Sequence, residues 1–137
     1  MNPKQFFQIG GIVLVLVGLL GFIGVLGPTE GQSVFGPLWW FDNAENWAHL
    51  VVGIVALIVG FALAANLQKP LAIVVGVVGI LVGLWSLLVS TKLLGANLEN
   101  PMDTILHLVV GAWALWAGLR GAKAMPPAAP PKPMGTM

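Results

Sequence analysis

Two short motifs in this chain combine a carboxylate with a histidine at a spacing that lets the two side chains share a hydrogen bond or a ligand. Glu45 stands four residues before His49. Asp103 stands four residues before His107, and the sequence contains no further histidine. Each histidine opens the same five residues, His-Leu-Val-Val-Gly, and the two copies lie 58 residues apart. Because residues four apart share a helix face, each carboxylate can accept a hydrogen bond from its own histidine.

The two motifs support several kinds of polar site. As a structural latch they would hold two parts of a helical bundle together, and the predicted polar cluster consists of Glu45, His49, Lys92, Asp103 and His107. As a metal site, two imidazoles and two carboxylates (His49, His107, Glu45, Asp103) would form a mixed nitrogen and oxygen shell suited to zinc or iron. The two histidines could instead be axial ligands of a haem, or groups that sense pH. No cofactor follows from the sequence alone.

The elements that must position these motifs are four long apolar stretches. The chain is 58% hydrophobic and 8% charged, whereas soluble domains average roughly 45–50% and about 25%. The stretches cover residues 6–26, 47–65, 71–91 and 102–119. Each is close to the roughly 17–25 residues that cross a bilayer core. Since a backbone in lipid must satisfy its own hydrogen bonds, these stretches predict four transmembrane helices and an all-α membrane protein.

The 58-residue offset extends beyond the histidine motifs and predicts a duplicated unit. Gly18 matches Gly76, and Gly21 matches Gly79. We therefore expect two tandem helical hairpins, residues 6–65 and about 66–120, related by a pseudo-two-fold axis. Small residues let membrane helices approach closely. The glycines predicted to pack the helices are Gly53, Gly60, Gly76, Gly79, Gly83, Gly111 and Gly118.

Charge placement predicts the orientation. Lys4, Lys69 and the basic residues after the fourth helix put both termini and the middle loop in the cytoplasm by the positive-inside rule. The transmembrane domain is predicted to span residues 1–124, followed by a proline-rich disordered cytoplasmic tail at 125–137. Both histidine motifs then lie near the outer surface. The aromatic residues at the end of the first outer loop are typical of a membrane-interface belt, with a ligand-stacking platform as the alternative; they are Trp39, Trp40, Phe41 and Trp47.

The two helix openings resemble a family of small bacterial four-helix membrane proteins catalogued only as a domain of unknown function. The matching segments are residues 100–111, N-P-M-D-T-I-L-H-L-V-V-G, and residues 42–53, D-N-A-E-N-W-A-H-L-V-V-G. Both fit a D/E-x-x-x-H-x-x-x-G opening, and Glu45 takes the place of the aspartate in the first copy. The resemblance covers most of residues 6–120. It implies a multi-pass protein of the bacterial cytoplasmic (inner) membrane and supplies no activity.

The sequence favours a non-enzymatic membrane protein, most simply a structural or accessory subunit. We expect it to contact the lipid bilayer and either membrane-protein partners or copies of itself. No basic patch indicates nucleic-acid binding, no glycine-rich loop indicates phosphate binding, and the absence of cysteine excludes thiolate metal sites. The alternative is a metal- or haem-binding membrane protein that uses His49 and His107. A small-solute transporter is a third option, weakened because the midplane stretches carry no ionisable residue.

Overall fold

The computed structural model describes residues 1–120, so the predicted tail at 125–137 lies outside the described residues. Within that range the chain forms four long α-helices: α1 (Pro3–Phe22), α2 (Asn43–Ala62), α3 (Ala65–Leu88) and α4 (Met102–Leu119). All four are long and apolar enough to cross a membrane. The prediction of an all-α protein with four helices that could cross a membrane is confirmed.

The connections are short except for the one between α1 and α2. That loop contains two 3-10 turns, Glu30–Gln32 and Gly36–Leu38. Between α3 and α4 the chain makes a small antiparallel ladder of β1 (Lys92–Leu93) with β2 (Ala96–Asn97). We call the end of the bundle where these two loops lie the loop end.

Polar caps start α1 and α2 before their apolar stretches begin. The Asn2 side chain accepts from the Gln5 backbone N–H at 2.9 Å, and the Gln5 side chain accepts from the Asn2 N–H at 3.1 Å. Asp42 and Glu45 make the same reciprocal pair at the start of α2. Each such capping box satisfies two N–H groups that the helix leaves without partners. The helices therefore begin at residues 3 and 43 rather than at 6 and 47.

The start of α3 differs from the sequence expectation. The predicted third stretch begins at residue 71, but α3 begins at Ala65 and Pro70 lies inside it. The Gln68 side-chain amide donates to the Val59 carbonyl at 2.9 Å and to the Leu63 carbonyl at 3.0 Å. These bonds satisfy carbonyls at the end of α2 through the first turns of α3. The connection therefore needs only two residues.

Helices pack in two antiparallel pairs, α1 with α2 and α3 with α4, and glycines lie at the contacts. A Cβ added to Gly53 would lie 2.7 Å from the Val15 backbone nitrogen, and one added to Gly111 would lie 2.7 Å from that of Ile80. Real Cβ atoms do not approach this closely, so the helix backbones themselves touch. Cβ atoms on the seven glycines predicted to pack the helices would each meet an atom of the facing helix within 3.1 Å.

The two pairs correspond closely, but at two different offsets. Gly53 and Gly111 make matching contacts 58 residues apart. In the preceding helices, Gly18 contacts Asn46 and Leu50 while Gly83 makes the matching contacts with Thr104 and Leu108, an offset of 65 residues. Sequence identity follows the same offset, because residues 16–19 and residues 81–84 both read Leu-Val-Gly-Leu.

The expected match of Gly18 with Gly76 is therefore not the structural one. Seven residues make about two helical turns, so a shift of seven returns a glycine to the same face. The offsets of 58 and 65 differ by those seven residues, which lengthen the loop between α1 and α2.

Apolar side chains join the two pairs at the end opposite the loop end. Phe6 lies edge-on to Trp113 with ring centroids 4.8 Å apart. Phe6 and Phe7 are buried in one cluster with Ala72 and Ala114. This cluster packs α1 against α3 and α4. At the loop end, hydrogen bonds join the two pairs.

The two helix pairs fill one corresponding place in their interfaces with different side chains. Gly21 leaves room for the fully buried Asn46 side chain, and a Cβ on Gly21 would overlap its Oδ1. In the other pair Ser86 stands at the place of Gly21, and its hydroxyl lies 2.5 Å from the Thr104 hydroxyl. A large amide facing glycine is thus exchanged for two small hydroxyls.

Alanine at Gly53 or Gly111 is expected to destabilise the protein, because its methyl group would press on the facing backbone. Overpacking of this kind costs about 1–3 kcal/mol, so the thermal unfolding midpoint in detergent, followed by circular dichroism, should fall for both variants. Gly10→Ala is the matched control, since a Cβ there meets nothing within 4 Å. If Gly10→Ala were as unstable as the other two, close backbone contact would not be the cause.

Gly21→Ser alone should also destabilise the protein, whereas adding Asn46→Thr should restore most of the loss. The double variant recreates the hydroxyl pair of Ser86 and Thr104 in the first helix pair. Unfolding midpoints of the wild type, both single variants and the double variant complete a double-mutant cycle. A double variant at least as unstable as the two single losses combined would show that the two pairs are not interchangeable here.

Candidate functional site

Three buried carboxylates meet at the loop end. Glu45 lies in the first turn of α2, Asp103 lies in the first turn of α4, and Glu99 precedes α4. Each offers one oxygen, and these oxygens all lie within 4.8 Å of one another. The exposed fractions are 3% for Glu45, 9% for Glu99 and 1% for Asp103. We call Glu45, Glu99 and Asp103 the carboxylate cluster.

Donors from both loops orient Asp103. Its Oδ1 accepts from the Trp39 indole N–H at 3.1 Å, and its Oδ2 accepts from the Glu99 backbone N–H at 2.7 Å. Trp39 belongs to the loop of the first helix pair, so this bond ties that loop to α4. Phe41 is buried edge-on against Trp39, with ring centroids 5.2 Å apart.

Asp42 makes the second tie between the loops. Its Oδ1 caps α2 by accepting from the Glu45 N–H at 2.9 Å, and its Oδ2 accepts from the Asn97 N–H at 2.8 Å. Asn97 stands in β2, and its side-chain amide donates to Glu99 Oε1. The other oxygen of Glu99, Oε2, is buried without a hydrogen-bond partner among the described residues.

Among residues 1–120, no lysine or arginine side chain acts on the carboxylate cluster. Burial and the neighbouring Asp103 carboxyl raise the pKa of Glu99 from 4.5 to about 8. Lys92, which the sequence placed in this cluster, lies instead in the exposed strand β1, where its carbonyl accepts from the Trp85 indole. Within residues 1–120 no lysine or arginine forms a salt bridge with Glu99.

Both histidines line a cleft beside the cluster, together with Glu45. His107 Nδ1 lies 2.8 Å from the Asp103 backbone carbonyl. A carbonyl can only accept, so Nδ1 carries a proton, and in the neutral imidazole Nε2 then keeps a free lone pair. His49 packs edge-on against Phe41 with ring centroids 4.8 Å apart, and its Nδ1 has no partner among the described residues. The recorded histidine bond therefore goes to a backbone carbonyl and not to the carboxylate four residues earlier.

The structure regroups the residues predicted to bind metal. Glu45 and Asp103 come together, but the third ligand in reach is Glu99, and neither histidine belongs to that group. The cleft measures about 230 Å³, whereas small-molecule sites usually measure roughly 300–1,000 Å³. A single ion with its waters fits this space better than a haem.

Sequence reasoning missed several residues of the site. Trp39 and Phe41, expected in a membrane-interface belt, form part of its wall, while Trp47 is 58% exposed and packs on Phe22. The Asp42 to Glu45 spacing matches a capping box, a sequence pattern that could have identified Asp42. Asn97 and Glu99 reach the cluster through loop geometry, which no local pattern indicates.

Comparisons of this chain with family models, with curated proteins and with solved structures gave no match. The resemblance to a family of four-helix membrane proteins therefore stays a prediction. The function has to be argued from the geometry of the loop end.

Glu99 should make stability depend on pH when divalent cations are removed with EDTA. Its pKa of about 8 in the folded protein exceeds the ordinary 4.5, so the folded state holds a proton that the unfolded state has lost. The free energy of unfolding should then fall as pH rises from about 4.5 through about 8. Glu99→Gln cannot titrate and should reduce the slope of this part of the profile, whereas the exposed Glu30→Gln should leave the slope unchanged. Parallel profiles for wild type and Glu99→Gln, measured by thermal unfolding, would contradict this assignment.

Proposed function

We propose that this chain is a non-enzymatic protein of the bacterial inner membrane that serves as a structural or accessory subunit for other membrane proteins or for copies of itself. Both termini would face the cytoplasm, and the loop end would face outward. Lys4 and Lys69 support this orientation, because they lie near the end opposite the loop end.

Two tandem hairpins are the architecture that we infer for this role. Supporting this duplication, the glycine contacts within α1–α2 match those within α3–α4. The two identical His-Leu-Val-Val-Gly segments fall at corresponding places in α2 and α4. The hairpins would be joined by the aromatic contact at one end and by the bonds of Asp42 and Asp103 at the other.

The observation that carries the accessory role is the separation of polar contacts, which lie inside the loop end, from the aliphatic side chains, which cover the outer helix faces. The polar side chains of the loop end hydrogen-bond across the two helix pairs. The outward faces of the helices carry aliphatic side chains that are half exposed, such as Val52 and Ile58 on α2 and Val78 on α3. Such faces can contact lipid or another membrane helix, and a chain of 14.4 kDa offers little other surface.

A second candidate function, metal binding, is favoured by one specific observation. Three carboxylate oxygens approach one another within 4.8 Å. The metal would then rest on Glu45, Glu99 and Asp103, with the histidines beside it. A small-solute transporter stays a prediction that no contact among residues 1–120 supports.

Native mass spectrometry of the protein, extracted gently from its own membranes, tests the accessory role. The mass should exceed 14.4 kDa by whole protein subunits in a fixed ratio. Because a tryptophan is tolerated by lipid but not by a packed helix interface, either Ile58→Trp or Val78→Trp should remove the added subunits while the fold is kept. Each variant is the control for the other, since they lie on different helices.

A mass of the bare chain in every mild detergent would contradict the proposal. A mass increased only by a small ligand would also contradict it. In that case the loop end would carry the function.

A further inference from the structure

The spacing of the carboxylate cluster fits one shared cation. Oxygen ligands bind Ca²⁺ at 2.3–2.6 Å, so two oxygens on opposite sides of the ion are about 4.6–5.2 Å apart. The oxygens of Glu45, Glu99 and Asp103 lie within 4.8 Å of one another. This spacing is compatible with one ion that contacts all three oxygens.

The unpartnered oxygen of Glu99 is a second and independent reason to expect a ligand. Glu99 is nine-tenths buried, and its Oε2 has no hydrogen-bond partner in the described part of the chain. A buried carboxylate oxygen without a donor is costly, and either a bound proton or a cation would satisfy it. Glu99 Oε1 is already held by the Asn97 amide.

Hydrogen bonds from neighbouring residues orient the carboxylates of the cluster, as such bonds orient the ligands of known metal sites. Both oxygens of Asp103 accept from fixed donors, the Trp39 indole and the Glu99 N–H, and each keeps a further lone pair. Glu45 Oε2 accepts from the Asp42 N–H at 3.1 Å. Such bonds orient ligands before the ion arrives.

The neighbouring cleft supplies a way in and room for water. It measures about 230 Å³ and is lined by Glu45, His49 and His107. One water takes up about 30 Å³, so several waters fit beside the ion. The free lone pair on His107 Nε2 can accept a hydrogen bond from one of them.

We propose that Glu45, Glu99 and Asp103 bind one Ca²⁺ ion at the loop end, with waters in the cleft completing its shell. The three donors are carboxylate oxygens, which hard cations prefer. Zn²⁺ would draw on imidazole, and Mg²⁺ demands a stricter octahedron. The ion would link α2 to α4 and so join the two helix pairs. This site rests on the metal-binding function proposed above and does not depend on the accessory role.

Calcium titration of the full chain tests the site. The protein, purified in detergent and stripped with EDTA, is unfolded thermally at increasing Ca²⁺, with Glu99→Gln as the variant and Glu30→Gln as the matched control. At about 100-fold excess over Kd, wild type and Glu30→Gln should unfold on the order of 5–10 °C higher. Glu99→Gln should need at least about tenfold more Ca²⁺ for the same shift, because ligand charge sets affinity.

Without calcium, Glu99→Gln should no longer unfold at a lower temperature than the wild type. The glutamine in this variant is uncharged, as the protonated Glu99 side chain is, and it can still accept from the Asn97 amide. Glu99→Gln should therefore unfold close to the wild-type midpoint in EDTA, which shows that the variant folds. Tb³⁺ luminescence excited through tryptophan gives a second readout, since Trp39 donates to Asp103 directly. The signal should appear with wild type, be displaced by Ca²⁺ and be lost in Glu99→Gln.

Three results would overturn the site. Millimolar Ca²⁺ could leave the wild-type midpoint unchanged, in which case the cluster holds protons only. The same shift in wild type and Glu99→Gln would place the ion elsewhere. Stabilisation by Zn²⁺ alone, lost in His49→Gln/His107→Gln but kept in Glu99→Gln, would assign the metal to the histidines.

Discussion

Contact between helix backbones is the constraint on which the rest of this structure depends. In lipid, apolar side chains gain little by leaving their surroundings, so helices associate through close packing. Gly53 brings α2 against α1, and Gly111 brings α4 against α3, at distances that leave no space for a methyl group. Two rigid helix pairs result. Each pair then places the first two turns of its second helix, with one carboxylate and one histidine, at the same end of the bundle.

The longer first loop turns these two pairs into one site. Corresponding contacts are 65 residues apart in α1 and α3 but 58 apart in α2 and α4, so the first loop holds seven additional residues. That loop carries Trp39 and Asp42, which reach Asp103 and Asn97 of the other pair. Without these bonds the two pairs would touch mainly through the aromatic cluster at the opposite end. Buried carboxylates are costly unless hydrogen-bonded. Asp103, at 1% exposure, accepts one bond from the Trp39 indole of the first loop and one from the Glu99 N–H of the second loop.

Local sequence patterns predicted the features that depend on neighbouring residues, such as helix bounds, and missed those that depend on contacts between distant residues. The bounds of α4, residues 102–119, were predicted as observed because Pro101 precedes the apolar run and Arg120 follows it. The start of α3 was missed because Gln68 bonds to carbonyls of the preceding helix, a contact that helical periodicity does not contain. The offset of α1 relative to α3 was misassigned because a shift of seven residues preserves the helix face. Glu45 and Asp103, which the sequence singled out, lie close together, whereas Glu99 reaches them from the loop that follows β2 and has no pattern of its own.

The asymmetry of the site follows from one pair of corresponding positions. Glu99 lies 58 residues after Phe41, so the first copy carries an aromatic ring where the second carries a carboxylate. A carboxylate at both places would put a fourth negative group beside Glu45 and Asp103, and the repulsion would oppose the joining of the two pairs. Phe41 instead fills its place with a buried ring, edge-on to His49 at 4.8 Å. Two similar helix openings therefore build a single site with three carboxylates, because only the second copy carries a carboxylate at the position of Phe41 and Glu99.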